Sequence, residues 1–284
     1  MDKLNRNFHL SVEKLAGGVL EVEPPFTIEF DVQRNILSSA NVGSITVYNL
    51  NENNRSQIRK DIYDYGILLA VSLRAGYGDN LPVVFQGNIS KAWSVRQGVD
   101  FLTQVEAYDG GFAIVNGSSS RTFPAPAQRR TVLSSLVSDL PGVTRGTIGN
   151  YIGALRRGNA VDGSTADLLT ELTGGGFFID NGKANCLQDN ECLEGEIELI
   201  NSSAGLLGTP VRENTFLFFD MIFEPRLVIG QRIKLETSTA EQFDGFYRVC
   251  SLRHRGMISP VVCGEAVTRV GLAYGTEELV VIRD

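Results

Sequence analysis

The sequence predicts a mainly β protein with an inserted α/β module, and three observations support this fold class. The chain has 284 residues, 43% hydrophobic and 21% charged, which is the composition of an ordinary folded protein. It contains 30 glycines and 15 phenylalanines but only 3 methionines, which favours many turns between strands over a helical bundle. Apolar and polar residues alternate in the first and last thirds, whereas the middle third has a helical period.

Charge and apolar runs argue against two classes of protein. The net charge is -7, and surfaces that mainly bind nucleic acid backbones are usually basic. The longest apolar runs, 66–73 and 215–223, are strand-sized, so we expect no membrane insertion. The N-terminus lacks a hydrophobic signal segment, so we expect a protein kept in a cytoplasm, with its four cysteines reduced.

The first third is predicted to be a sheet interrupted by one helix. Asn51 is placed to cap a helix whose apolar stripe contains Ile58, Ile62 and Tyr65, and Gly66 is expected to end it. The predicted strands are 8–12, 26–30, 45–47, 68–73, 83–95 and 99–108.

The middle of the chain is predicted to be a small helix-and-hairpin module. A domain boundary is expected in 110–126, which is rich in Gly, Ser and Pro. Ser164 and Asp167 resemble a capping box at a helix start, and Asn181-Gly182 is a strong hairpin signal between strands 177–180 and 183–187. One earlier helix presents an apolar face of Val132, Leu133, Leu136, Val137 and Leu140.

Strands return in the last third, at 196–200, 215–222, 232–237, 246–253 and 260–267. We therefore divide the chain into a first β domain (1–115), the module (116–195) and a second β domain (196–284).

An offset of 158 residues relates the two β domains, and we interpret it as an internal duplication, with a chance match as the alternative. It places Phe85 on Phe243, Gly87 on Gly245 and Gly98 on Gly256. With small length differences, the pattern extends to Val71-x-Leu73 and Ile233-x-Leu235, and to Glu106-Ala107 and Glu265-Ala266.

Motifs of the common enzyme classes are missing. Only His9 and His254 exist, so a site that needs several imidazoles is excluded. The chain has no complete phosphate-binding loop, dinucleotide fingerprint or nucleophile elbow. We predict a protein that is not an enzyme, with no catalytic, cofactor-binding or metal residues and no cofactor, although 33 acidic residues leave carboxylate pairs open.

Two adjacent blocks of opposite charge are candidates for an interface between subunits. From Arg121 to Arg157 six bases face one acid, and from Gly158 to Glu198 nine acids face one base. The blocks either neutralise one another within the module or meet across neighbouring subunits of a ring, where complementary charge sets register. The candidate interface residues are Arg121, Arg129, Arg130, Arg156, Arg157, Glu194, Glu196 and Glu198, the glutamates sharing one predicted strand face.

Several short runs resemble those of bacteriophage tail baseplate hub proteins. The N-terminal likeness is in 44–50 (Ser-Ile-Thr-Val-Tyr-Asn-Leu), the helix with Arg55 and Ile58, 75–78, Phe85-x-Gly87 and 106–110. The C-terminal likeness is in 205–210, 225–230, Gly245-x-Tyr-x-Val249 and His254-x-Gly256.

The resemblance implies a noncatalytic structural hub with two tail-tube-like β-barrel domains around the module. A trimer of such chains has pseudo-sixfold symmetry, joins the hexameric tail tube to the central spike and leaves a lumen for DNA. The implied partners are further copies of the chain, the tail tube protein, the central spike protein, baseplate wedge proteins and the tape measure protein, without sequence-specific nucleic acid binding. The implied location is the virion tail baseplate, assembled in the host bacterial cytoplasm.

Two alternatives stay open. One is a tail-tube or tube-terminating protein that forms a hexameric ring, and the other is a hub with wall-degrading hydrolase activity.

Overall fold

The computed structural model of the chain describes residues 5–37, 39–64, 66–156, 158–262, 264–275 and 278–283. The N-terminal elements are β1 (Arg6–Glu13), β2 (Val19–Val22), β3 (Ile28–Asn35), β4 (Asn41–Tyr48), α1 (Glu52–Ile58), β5 (Ala70–Tyr77), β6 (Val83–Gln97) and β7 (Asp100–Asp109). These strands bury alternate residues, as the period of two in the sequence predicts.

The middle elements combine helices and short strands. They are α2 (Gly111–Asn116), β8 (Ser118–Phe123), β9 (Ala127–Gln128), α3 (Arg129–Val137), β10 (Thr144–Ile148), β11 (Ala154–Leu155), β12 (Asn159–Ser164), α4 (Thr165–Thr173), β13 (Phe177–Asp180) and β14 (Lys183–Cys186). The Ser164 hydroxyl accepts the Asp167 N–H at 3.3 Å, and Asn181 and Gly182 have the positive φ angles of a tight hairpin turn. The predicted helix-and-hairpin pattern is confirmed at these positions.

The C-terminal elements are again mostly strands. They are β15 (Glu191–Leu193), β16 (Leu199–Ile200), β17 (Leu206–Glu213), β18 (Phe216–Ile222), β19 (Arg232–Leu235), a short 3-10 helix (Glu241–Phe243), β20 (Gly245–Ile258), β21 (Ala266–Ala273) and β22 (Val280–Ile282).

Three sequence-based boundaries are wrong. Helix α1 ends at Ile58 because Arg59 is extended and Lys60 pairs with Ala92, which leaves Ile62 exposed and α1 well short of Gly66; Tyr65 lies outside the described residues. The strand predicted for 196–200 is only Leu199–Ile200, so the three glutamates share no strand face. The strand predicted for 260–267 begins at Ala266, after an exposed loop.

One sheet contains most strands of both halves. Among the described residues it has thirteen strands, and its main path runs β17-β18-β21-β20-β3-β4-β7-β6-β5-β1-β2. The halves join where β3 pairs with the second part of β20, from Ser251 opposite Asn35 to Ile258 opposite Ile28. The predicted mainly β fold is confirmed, but in place of two separately closed barrels the described residues form one sheet whose path is open at β17 and β2. The halves merge because β3 pairs with β20, which gives hydrogen-bond partners to the backbone N–H and C=O groups on two strand edges that would otherwise be open.

The halves have the same strand order. The N-terminal half runs β3-β4-β7-β6-β5-β1, and the C-terminal half runs β17-β18-β21-β20-β19-β16. They differ at the last step, because β1 pairs with β5 antiparallel whereas β16 pairs with β19 in parallel.

The 158-residue offset places residues in different structural positions. Gly98 is in the turn between β6 and β7, whereas Gly256 is inside β20. The β-ladders instead relate β6 to β20 at an offset of 160. Leu73 is opposite Phe85 and Val71 opposite Gly87, as Leu235 is opposite Gly245 and Ile233 opposite Tyr247.

Three apolar clusters hold the fold together. The first lies inside the β1–β7 half and also contains Phe223 and Ile258 from the C-terminal half. The second lies inside the C-terminal half and contains Phe178 of the module hairpin. The third packs α3 and α4 on β13 and β14. The five apolar residues predicted for the α3 face are all buried in this third cluster.

Candidate assembly site

Buried polar contacts attach the module hairpin to one end of the large sheet. Arg34 of β3 makes two hydrogen bonds to the Asp180 carboxylate, at 2.8 and 2.6 Å, and both side chains are buried. Nearby, Asn41 Nδ2 donates to the Ile179 carbonyl at 2.9 Å. A charge-assisted pair of this kind fixes orientation as well as position.

Asp109, the last residue of β7, completes this attachment. Its carboxylate accepts the N–H groups of Asn181 at 2.5 Å and Gly182 at 2.9 Å, which are the two turn residues of the hairpin. Burial is the main cause that raises the pKa of Asp109 to about 6, and the negative charge of Asp180 acts in the same direction. The two backbone hydrogen bonds oppose that rise.

A second contact region joins the N-terminal and C-terminal halves beneath β3 and β20. The Tyr77 hydroxyl donates to the Phe223 carbonyl at 2.8 Å, and the ring of Phe30 lies 5.5 Å from that of Phe223. His254 is fully buried against Phe223, with Nδ1 2.9 Å from the Thr268 hydroxyl, and burial lowers its pKa to about 3. The halves therefore meet through a buried, aromatic contact as well as through backbone pairing.

The C-terminal parts of the long strands β6 and β20 differ in how many neighbouring strands they pair with. Residues Ser251–Gly256 of β20 pair with β21 on one side and with β3 on the other. In β6, Lys60 forms a single bridge to Ala92 and donates its Nζ to the Ile89 carbonyl at 2.6 Å. Beyond that bridge, residues 94–97 pair with β7 and, within the described residues, with no second strand. Strand edges left open in this way are sites for pairing with another chain.

The predicted basic interface residues are exposed on the module. Arg129 and Arg130 begin α3, and Arg156 follows β11; Arg157 lies outside the described residues. Arg121 is half exposed and pairs with Asp139, an acid of its own block. This contact fits local neutralisation within the module, whereas the other three arginines are exposed as single side chains of the module.

The predicted acidic residues lie in the segment between β15 and β16. Glu194, Glu196 and Glu198 are exposed, and Glu194 is 3.3 Å from an Arg283 Nη. No ion pair among the described residues joins these glutamates to the predicted arginines. The two blocks do meet at one open cavity of about 630 Å³, where Arg145 and Glu194 are both lining residues.

Groups that could carry chemistry are few. No cluster of three or more metal-ligating side chains occurs among the described residues. Cys186, Cys192 and Cys250 are free and buried, and burial raises the pKa of Cys186 to about 12 and that of Cys192 to about 11; Cys263 lies outside the described residues. No described helix is long and apolar enough to cross a membrane.

Sequence reasoning missed the buried polar residues that attach the module. Arg34 had a usable signal, since it continues the buried alternation of Phe30 and Val32, and a base on a core face requires a partner. Asn41 begins β4 and Asp109 ends β7, and because polar residues at strand ends are usually exposed, the sequence did not indicate that either is buried.

Comparison with known protein families gives a match over most of the chain. A family model described as "Baseplate hub gp41" matches residues 10–255. No curated protein matches the chain.

Solved structures of tail proteins share the fold. The 43 kDa tail protein of prophage MuSo2 from Shewanella oneidensis has a TM-score of 0.62 at 8% identity, over 94% of this chain and 96% of that one. A tail protein from Neisseria meningitidis MC58 has a TM-score of 0.58 at 9% identity, over 94% and 96%. The E. coli c3393 protein, a component of the type VI secretion system, has a TM-score of 0.56 at 9% identity, over 94% and 78%.

At such low identity these structures support the fold alone, whereas the family match covers most of the chain. The resemblance found in the short sequence runs is thereby confirmed, and the chain belongs to the baseplate hub gp41 family of phage tail structural proteins.

Proposed function

We propose that three copies of the chain form a noncatalytic hub ring with pseudo-sixfold symmetry, which joins a hexameric tail tube to a central spike. The observation that carries this proposal is the shared strand order of the two halves, which are joined edge to edge in one sheet. Two similar units in each of three chains supply six positions, and a ring of this kind can match a sixfold partner at one face.

The repeated strand order also supports an internal duplication. Each half has a bulge in its long strand, between Ile89 and Lys91 in β6 and between Val249 and Ser251 in β20. Bulges are specific features of a sheet, so equivalent positions favour common descent over chance. We keep the division into 1–115, 116–195 and 196–284 as part of the proposal, with the first and last parts as the two tube-like units.

The proposed partners are other copies of the chain, the tail tube protein, the central spike protein, baseplate wedge proteins and the tape measure protein. The location is the virion baseplate, after assembly in the host cytoplasm. A ring lumen would let DNA pass, and the net charge of -7 disfavours adhesion of the phosphate backbone. No sequence-specific nucleic acid binding, membrane insertion or cofactor is proposed.

Native mass spectrometry of the purified protein tests the proposal. Three chains of 31.0 kDa each support the hub, and a two-dimensional average of the particle should show six similar densities around a lumen. Six chains in the ring would support the tail-tube or tube-terminating alternative, and a monomer would refute the ring.

A separate assay addresses the hydrolase alternative. The purified ring is incubated with peptidoglycan, and the release of soluble fragments is compared with that produced by a lysozyme. We expect no release above buffer, and release that follows the protein through purification would favour the hydrolase.

A further inference from the structure

We propose that the open edge of β6, residues 94–97, is the docking edge for β17 of a second copy of this chain. The ring would then close through the same type of strand junction that joins the two halves within one chain. This inference rests on the proposed trimer and adds the strands and the register that form its subunit contact.

The register follows from residues that lie directly opposite one another on neighbouring strands. In each half, a row of four such residues, one from each of four strands, starts at the first paired residue after the bulge of the long strand. The rows are Lys91, Glu106, Ser44 and Asp31 in the N-terminal half, and Ser251, Gly271, Phe218 and Val211 in the C-terminal half. Asp31 of β3 therefore corresponds to Val211 of β17.

The junction inside the chain shows which residues then meet. Asp31 is opposite Arg255, which lies four positions after Ser251 in β20. Four positions after Lys91 in β6 is Val95. The equivalent contact between copies thus places Val95 opposite Val211.

The exposure of these two side chains supports the assignment. Val95 is 40% exposed and Val211 is 57% exposed in the single chain. Their apposition would remove two apolar side chains from water at the centre of the contact.

In this register, the residues whose N–H and C=O groups point to the open edges lie opposite one another. The N–H and C=O of Ala92 bond to Lys60, so those of Ser94 and Arg96 point to the same open edge. On β17, Glu213 pairs with Phe216 across a two-residue turn, so Arg212 presents its N–H and C=O to the free side.

Ser94 and Arg212 would exchange two hydrogen bonds, and Val95 and Val211 would form the adjacent, closer pair without hydrogen bonds. Pro210 would lie opposite Arg96 and has no backbone N–H to donate to the Arg96 carbonyl. Proline is tolerated at an edge strand.

Charge complementarity favours the same register. Glu213 would lie opposite Trp93 and diagonal to Lys91, whose ammonium already lies 4.2 Å above the Trp93 ring. Diagonal neighbours on a sheet are close enough for long side chains to interact. The contact is head-to-tail, and head-to-tail contacts close into rings when the rotation permits.

Disulfide trapping tests the register. Chains carrying both Val95→Cys and Val211→Cys are oxidised with copper–phenanthroline and run on non-reducing gels, where we expect dimers and trimers. Directly opposed residues without hydrogen bonds have about 4.5 Å between Cα atoms, within reach of a disulfide. A mixture of the two single variants should give dimers only, and each single variant alone should give no more than the parent protein, which controls for the native cysteines.

The matched control moves one cysteine out of register. Val99 lies in the turn that follows the end of β6 at Gln97, outside the strand positions of the proposed junction, so Val99→Cys with Val211→Cys should give at least tenfold less cross-link. Strong cross-linking of the Val95→Cys single variant, or equal cross-linking of the control pair, would overturn the proposed junction.

Mass measurements separate the two proposals. A parent protein of three chains whose Val95/Val211 variant is trimeric but not cross-linked refutes the junction and leaves the hub proposal standing. A parent protein that is not trimeric refutes the hub proposal and the junction together.

If the cysteine variant misfolds, Val95→Asp replaces it, since a carboxylate there should abolish the trimer at micromolar concentration while the circular dichroism of the chain is kept. The same change at Val99, outside the junction, should leave the trimer intact, and trimers of the Val95→Asp chain would overturn the junction.

Discussion

Replacing Arg34 with methionine should strongly destabilise the chain because it leaves the buried Asp180 carboxylate without its partner. The aliphatic part of the side chain is kept, so the main change is loss of the two hydrogen bonds to Asp180, at 2.8 and 2.6 Å. Arg34 is 2% exposed and Asp180 is 8% exposed, so water cannot replace the lost partner. Removing one member of a buried ion pair costs about 3 to 5 kcal/mol, which lowers the melting temperature on the order of 10 °C.

Urea unfolding followed by circular dichroism measures this loss, with all variants at one protein concentration because assembly shifts apparent stability. The exposed pair of Arg253 and Asp31 supplies the control, and Arg253→Met should cost no more than about 1 kcal/mol. The double variant Arg34→Met with Asp180→Leu should recover most of the loss, since no charge is left unpaired. A loss below about 1 kcal/mol for Arg34→Met, or no recovery in the double variant, would show that the unpaired Asp180 charge is not what destabilises the chain.

Two further predictions concern pH and backbone conformation. Asp109 has a pKa of about 6 when folded and about 3.9 when unfolded, so its contribution to stability is greatest below pH ~4 and is lost as pH rises through 6, by about 3 kcal/mol. Urea titrations of Asp109→Asn at pH 4 to 7 should show a flatter dependence than the parent, and an unchanged slope would contradict this assignment. Gly110→Ala should lower the melting temperature more than Gly174→Ala does, because both have positive φ but only at Gly110 would a Cβ meet a side chain, that of Ile179 at 2.6 Å. Equal losses, measured by calorimetry, would rule out this contact as the cause.

Much of the local structure could be predicted from the sequence because it depends on neighbouring residues. Asn51 caps α1 through the Asn54 N–H, and the turn at Asn181 and Gly182 has the positive φ angles that these residues accept. The prediction for the end of α1 was wrong because Ile62 continues the apolar spacing, whereas the backbone at Lys60 is drawn into a bridge with β6. A contact 32 residues away, from Lys60 to Ala92, decided that boundary.

The charge pattern of the sequence could not identify the partner of each charged residue, because residue type does not specify a partner. Arg121 pairs with Asp139 inside the module, whereas Arg130 is exposed. The buried residues that attach the module were missed because a polar residue at a strand end is usually exposed, and only the folded chain brings the hairpin over Asp109.

The fold class, the alternation of core and surface residues, the module hairpin and the family could all be predicted from local spacing and short motifs. The pairing of β3 with β20, which places both halves in one sheet, is visible only in the folded chain. An alternating strand can bury its apolar face against many neighbours, so its partner and register depend on the edges, bulges and buried contacts that the whole chain brings together.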